Sequence, residues 1–314
     1  MKGKIEYSIV VPVYNEEGNI PQLDKEIKQI MGKTSKEYEV IYVNDASTDN
    51  SLAELKKLSK VKIINLNRNY GQSTALDAGF KEARGELIIS MDGDLQNDPS
   101  DIPQLIKKLK DEKLDVVAGW RKNRKDGVGI NLLSRTGKLL RSIILKDPIH
   151  DSGCMLRVYK KEAIKTLDLQ GEMHRYILAL LRWKGFKIGE VVVNHRPRIN
   201  GKTNYGYSKA VRGFLDLMYM SFIQKYYQRP LHAFGYLSIV SFVLGCFSGG
   251  YSIYQKVFQG LGLNRNGWFF LGIFFMLGAL MLFSFGILMD LLIKIYLNTS
   301  QFDKRYYIKE IIER

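Results

Sequence analysis

The chain has 314 residues, 46% of them hydrophobic, a formal net charge of +15 and two cysteines. That length allows one large domain with an appendage. Cys154 falls in a mixed stretch and Cys246 in an apolar one, which excludes a disulfide framework. The positive charge is spread along the chain, with clusters at 121–125 and 135–146, so it favours phosphate-bearing ligands or an anionic lipid surface over a nucleic acid.

Residues Tyr7–Val13 (YSIVVPV) are an unbroken apolar, β-branched run, the pattern of a strand covered on both faces. The polar turn 14–18 leads into an expected helix over Ile20–Met31. Residues 38–43 (YEVIYV) repeat the strand pattern and end in Asn44-Asp45-Ala46-Ser47-Thr48-Asp49, where polar caps open the next helix. A third strand is expected over 61–65, a helix over 72–83, and a fourth strand over 86–91 that runs directly into Asp92-Gly93-Asp94. A helix over 102–109 and a strand over 115–118 follow. This alternation predicts an α/β domain around a mostly parallel sheet. Ligands of such sheets bind beyond the carboxyl ends of the strands, where Asp45, Asp92 and Asp94 fall.

The stretches 130–145 and 207–227 interleave basic with apolar residues, as helices lying in a membrane interface do. Two apolar spans, 231–257 and 268–293, each exceed the roughly 20 residues that cross a bilayer. The short linker between them carries one cation, Arg265, whereas the flanks carry Lys225, Arg229, Lys294, Lys304, Arg305 and Lys309. A multi-pass hairpin in the cell membrane is therefore expected at 229–298, with a domain at 1–228 and a tail at 299–314 both in the cytoplasm. The start Met1-Lys2-Gly3-Lys4 runs into a strand with no apolar leader, which fits a cytoplasmic domain. Paired helices of this kind can also drive homo-oligomers.

Two carboxylates flanking a glycine at a strand end can converge on one hard cation. Mg²⁺ or Mn²⁺ is commonly held by few carboxylates together with substrate phosphates, where it neutralises charge on a departing diphosphate. Arg121, Arg135 and Arg198, assisted by Lys202, supply cations for a phosphate; guanidinium forks match its oxygens. His150 and His195 are read as structural rather than metal-binding.

Taken together, Val10-Val11-Pro12-Val13-Tyr14-Asn15-Glu16, Val43-Asn44-Asp45-Ala46-Ser47-Thr48-Asp49 and Met91-Asp92-Gly93-Asp94-Leu95-Gln96 resemble family 2 glycosyltransferases with the GT-A fold, a Rossmann-like sheet domain. Asp151-Ser152-Gly153-Cys154-Met155-Leu156-Arg157 and the segment from Arg198 through Gly201, Lys202 and Gly206 look like the polyprenyl-phosphate branch, which includes dolichol-phosphate mannose synthases and bactoprenol glucosyltransferases. The resemblance implies that Pro12, Tyr14, Glu16, Asp45 and Asp92 line the nucleotide site, and that Asp92, Asp94 and Gln96 hold metal and diphosphate. It implies an inverting transfer from a UDP- or GDP-linked sugar to undecaprenyl or dolichyl phosphate at the lipid bilayer. Asp94, Asp151 and Arg121 are the residues expected at the reaction itself.

Asp151 falls where the family's catalytic base is expected. A phosphate acceptor has little need of a base, because its second pKa is about 6, which favours Asp151 as an orienting group or weak base. A hydroxyl acceptor, as in a glycolipid or polysaccharide synthase, would make it essential. A non-catalytic membrane partner is the third reading, opposed by the presence of Asp92, Asp94 and Asp151. Polysaccharide synthases carry a Gln-x-x-Arg-Trp motif, of which this chain retains only Arg182-Trp183, and Trp183 is expected in the core.

Overall fold

The apolar runs form strands, and their lack of alternation follows from a sheet covered on both faces. The computed structural model describes residues 4–34, 36–122, 149–169, 171–197, 218, 222, 226, 230–299 and 308–313. The stretches 130–145 and 207–227 lie outside them, apart from Met218, Phe222 and Tyr226. Two compact units are present, one comprising residues 1–216 and 304–314 and the other 217–303.

The first unit is built on an eight-stranded sheet in the order β7-β5-β6-β4-β1-β2-β3-β8. Strands β1 (Tyr7–Val13), β2 (Tyr38–Asn44), β3 (Lys62–Leu66) and β4 (Leu87–Ser90) are parallel to their neighbours in this set. Strand β6 (Arg157–Lys160) lies antiparallel between β4 and β5 (Val116–Trp120). Strand β7 (Ile188–Val192) then extends the sheet parallel to β5. Six strands therefore point the same way, and their carboxyl ends share one edge. The start of β6 joins that edge, since Arg157 pairs with Ser90 at the end of β4.

Successive side chains leave opposite faces of a strand, so Ile9, Val11 and Val13 join one core while Val10 joins the other. The first core takes the apolar stripes of α1 (Ile20–Met31) and α4 (Ile102–Asp111). The second takes α3 (Gln72–Glu82), α5 (Lys161–Lys165) and α6 (Ile177–Trp183). Helix α2 (Ser51–Lys57) follows β2 and opens where Asp49 accepts the Ser51 amide at 2.9 Å. Trp183, expected in the core, is only half-buried: it ends α6 just before the exposed turn at Lys184.

Residues 308–313 are more than a tail. They form β8 (Ile308–Glu313), antiparallel to β3, with Ile308 and Ile312 turned to the two cores and Lys309, Ile311 and Glu313 exposed. This caps an edge that β3, buried throughout, would otherwise present.

The second unit consists of α7 (Pro230–Gln259) and α8 (Gly267–Thr299), joined through a 3₁₀ turn at Leu263–Arg265. A 30-residue helix is about 45 Å long, and both helices are long and apolar enough to cross a membrane. They pack antiparallel where small residues allow it. Ser238 and Ser241 donate to the carbonyls of Ala279 and Phe275 at 2.8 and 2.7 Å, and Gly245 lies against Met276 and Gly272. Their outer faces expose Phe247, Phe258, Phe274 and Leu280.

Candidate active site

The turns after β1 and β2 are tied to each other. Asn15 and Ala46 adopt left-handed φ values of 57° and 53°, which is unusual for residues other than glycine. The Asn15 side-chain oxygen accepts the Thr48 amide at 2.8 Å, and Ser47 and Ser51 accept the amides of Asn15 and Glu16. Pro12 is half-buried at the end of β1, Tyr14 is exposed, and the Glu16 carboxylate takes the Asn19 side-chain amide. Asp45 is buried, and its two oxygens accept the amides of Tyr70 and Gly71 at 2.8 Å each. Burial pushes its carboxyl above the usual range, while those amides work in the opposite direction. Expected as a nucleotide contact, Asp45 thus also anchors the loop that starts α3.

Strand β4 delivers Asp92-Gly93-Asp94 next to that loop. A Cβ on Gly93 would come within 3.2 Å of the Pro12 carbonyl and 3.7 Å of the Glu16 side chain, so the glycine lets the motif pack against the turn after β1. Leu95 turns left-handed at φ 61°, and Asp94 accepts the Gln96 amide at 3.1 Å. Asp92 accepts Gln72 Nε2 at 2.7 Å and Asn97 Nδ2 at 3.4 Å. Burial, with the neighbouring Asp94 charge, raises the Asp92 carboxyl to about 7, against the pull of Arg121. Two carboxylates held this close leave negative charge that a cation would relieve.

Among the described residues no third His, Cys, Asp or Glu completes an all-protein metal cage. That donor set suits Mg²⁺ or Mn²⁺, which take one or two carboxylates and fill their remaining positions with water and phosphate oxygens. Asp92 and Asp94 would hold such an ion. The Gln96 backbone is committed on both sides, its amide to Asp94 and its carbonyl to the Arg196 amide.

Arg121 at the end of β5 meets Asp151 in the loop before β6. Nε and Nη2 reach the two carboxylate oxygens at 2.7 and 3.0 Å, with the side chains 9% and 8% exposed. The amides of Arg121 and Gly153 add two donors at 3.2 Å. Four N–H groups thus match the roughly four lone-pair positions of a carboxylate. Burial alone would lower the Arg121 pKa, and the Asp151 pairing more than offsets this and raises it. His150 stacks on Trp120 with ring centroids 4.2 Å apart and places Nδ1 2.7 Å from Glu190. Arg135, Arg198 and Lys202 lie outside the described residues.

Sequence reasoning missed Gln72 and Asn97, the two side-chain amides that hold Asp92. Gln72 follows a glycine at φ 90° and opens α3, and a polar residue one step into a helix after a glycine is a weak signal. Asn97 carries none beyond its nearness to the Asp-x-Asp motif.

A mixed sheet with paired carboxylates just beyond β4 agrees with the GT-A fold expected from the sequence motifs. The model of glycosyl transferase family 2 matches residues 8–168, and the chain belongs to that family and is a glycosyltransferase. Within it, the chain is similar over its whole length to a dodecaprenyl-phosphate galacturonate synthase of Rhizobium johnstonii, 35% identical over 98% of this chain and 94% of the relative. It is also 32% identical to an undecaprenyl-phosphate 4-deoxy-4-formamido-L-arabinose transferase of Shewanella sediminis, over 97% and 92% of the two chains. Among solved structures, glucosyl-3-phosphoglycerate synthase of Mycobacterium tuberculosis, in complex with Mn²⁺, uridine diphosphate and glucosyl-3-phosphoglycerate, shares the fold. The TM-score is 0.55 at 15% identity, over 70% of this chain and 80% of that one. Mannosyl-3-phosphoglycerate synthase of Rubrobacter xylanophilus does so at a TM-score of 0.57 and 14% identity, over 70% and 75%.

Proposed function

We propose that the chain catalyses an inverting, metal-dependent transfer of a sugar from a UDP- or GDP-linked donor to a polyprenyl phosphate. The observation that carries the acceptor class is the engagement of Asp151 by four N–H donors. A carboxylate so occupied is a poor base for a sugar hydroxyl. A lipid phosphate needs no base, being largely dianionic at pH 7 with a second pKa of about 6. The relatives named for dodecaprenyl and undecaprenyl phosphate support the same class.

Pro12, Tyr14, Glu16 and Asp45 line the nucleoside side. Asp92 and Asp94 would hold the divalent ion, whose chemistry would be to neutralise charge on the departing nucleoside diphosphate. Asp151 fixes Arg121 through Nε and Nη2; its Nη1 group, outside that pair, is the donor offered to the acceptor phosphate, with Arg135, Arg198 and Lys202 as further cations. The phosphate oxygen attacks the anomeric carbon opposite the leaving diphosphate, which inverts that centre.

The hairpin anchors the enzyme in the membrane, where its acceptor resides. Residues on both sides of the hairpin contribute to one sheet, which, with the cationic flanks, supports a cytoplasmic catalytic domain. The test is incubation of the purified protein and Mn²⁺ with UDP- and GDP-sugars and either undecaprenyl or dolichyl phosphate, followed by mass analysis of the lipid. A polyprenyl-phosphate sugar is expected; transfer only to hydroxyl-bearing glycolipids would overturn the acceptor assignment.

A further inference from the structure

Arg157 begins β6 and is fully buried, yet it faces carbonyls. Nε donates to the Cys154 carbonyl at 2.7 Å, Nη2 to Ser152 at 2.6 Å and Nη1 to His174 at 3.4 Å. The guanidinium fork carries five donors in a fixed plane, which lets one side chain reach three carbonyls set apart from one another. Its contacts continue in two directions. Along one, His174 is bound through its amide and Nδ1 to Ser73 Oγ, both at 2.9 Å. Burial, with the nearby Arg175 and Arg157, lowers the His174 pKa to about 3, so the ring is neutral. Ser73 adjoins Gln72, which holds Asp92 at 2.7 Å.

Along the other direction, the Cys154 thiol lies 3.7 Å from Asn97 Oδ1, and Asn97 Nδ2 reaches Asp92 at 3.4 Å. The thiol is protonated at neutral pH, burial having pushed it up to about 11. A closed ring therefore runs Asp92–Gln72–Ser73–His174–Arg157–Cys154–Asn97–Asp92, buried except at the half-buried Gln72 and Asp92. It gathers the carboxyl end of β4, the start of α3, the 3₁₀ turn Met173–Tyr176 and the loop carrying Asp151.

We infer that Arg157 is a positioning residue, which through this ring sets the spacing between the Asp92–Asp94 pair and the Arg121–Asp151 pair. The functional half of the inference rests on the transfer reaction proposed above; the ring itself does not. Displacement chemistry loses about a hundredfold in rate for a misplacement near 1 Å, so a loosened ring costs turnover more than donor binding.

The test compares the full-length protein with Arg157→Lys and Ser73→Ala. Ile27→Ala, a truncation on α1 within the first core and outside the ring, serves as a stability control. Amide hydrogen exchange comes first, because it needs no substrate. Ser73→Ala should raise exchange across 149–156, residues it does not touch. Kinetics come second. Arg157→Lys should lower kcat at least tenfold while the donor KM stays within threefold, and Ser73→Ala should do the same to a smaller degree. Exchange confined to the substituted residues' own neighbours overturns the ring. A kcat loss no larger than that of Ile27→Ala overturns the positioning role. If the wild type transfers no sugar to lipid phosphate, the functional proposal fails, and the exchange result still decides the ring.

Discussion

Asp151→Asn separates an anchor from a base. The carboxylate faces a buried guanidinium through Nε at 2.7 Å and Nη2 at 3.0 Å. The substitution removes the negative charge and turns an NH₂ group toward N–H donors that previously met an oxygen. Removing one partner of a buried ion pair costs about 3–5 kcal/mol. In a domain of this size about 1 kcal/mol moves Tm by 2–4 °C, so Tm should fall by ~6–20 °C. Because both side chains are below a tenth exposed, solvent screening offers little relief. Turnover, measured well below the lowered Tm, should fall less than about a hundredfold, since general-base catalysis typically supplies 10²–10⁴. Melting curves in detergent and product formation on polyprenyl phosphate give both numbers. A Tm within 2 °C of wild type combined with a thousandfold loss of kcat would refute the reasoning and restore Asp151 as the base of a hydroxyl-directed enzyme.

Asp94→Ala should abolish transfer without lowering Tm, because it relieves repulsion with Asp92; near-normal turnover removes Asp94 from the metal site. The Asp92 carboxyl, raised from 3.8 to about 7, makes the folded state hold a proton that the unfolded chain has lost. Its contribution to stability is thus full below about 4 and disappears as pH rises through 7. An Mn²⁺ ion held there would compete for the same oxygens, so its apparent affinity, read by electron paramagnetic resonance, should climb with pH to about 7 and then level off, and Asp92→Asn should flatten both trends. A cysteine at Asn264, in a Cys246→Ala background, should be labelled only from the non-cytoplasmic side; labelling from the cytoplasm reverses the topology. Truncation after Asp303 should lower Tm and promote aggregation by uncovering the edge of β3; unchanged melting would show that β8 adds nothing.

Much of the sheet could be read directly because β1 to β4 are largely buried on both faces and so carry short, mainly apolar runs. Asp92 and Asp94 were legible for a related reason, since a strand that stops at a carboxylate marks its own carboxyl end. Strand β8 was not legible: in IKEIIE three residues face solvent on an edge strand, and the charges read as a tail. Nor was the partner of Arg121, thirty residues away across a stretch that gives no register. Asp45 shows the converse, a residue placed correctly at a strand end whose oxygens are given to backbone amides that only the folded loop brings near. Arg157 was visible as part of a motif, but its carbonyl partners are backbone atoms, which leave no mark in the side-chain code.

The β8 strand bears on how the chain is made. Residues 308–313 are synthesised after both apolar helices, yet they close the sheet beside β3, which is synthesised more than two hundred residues earlier. Until then the β3 edge stays open on the nascent chain. If the hairpin spans the membrane as proposed, failure to insert its second helix would leave β8 across the bilayer from its partner, and completion of the sheet would then double as a check that both helices had crossed.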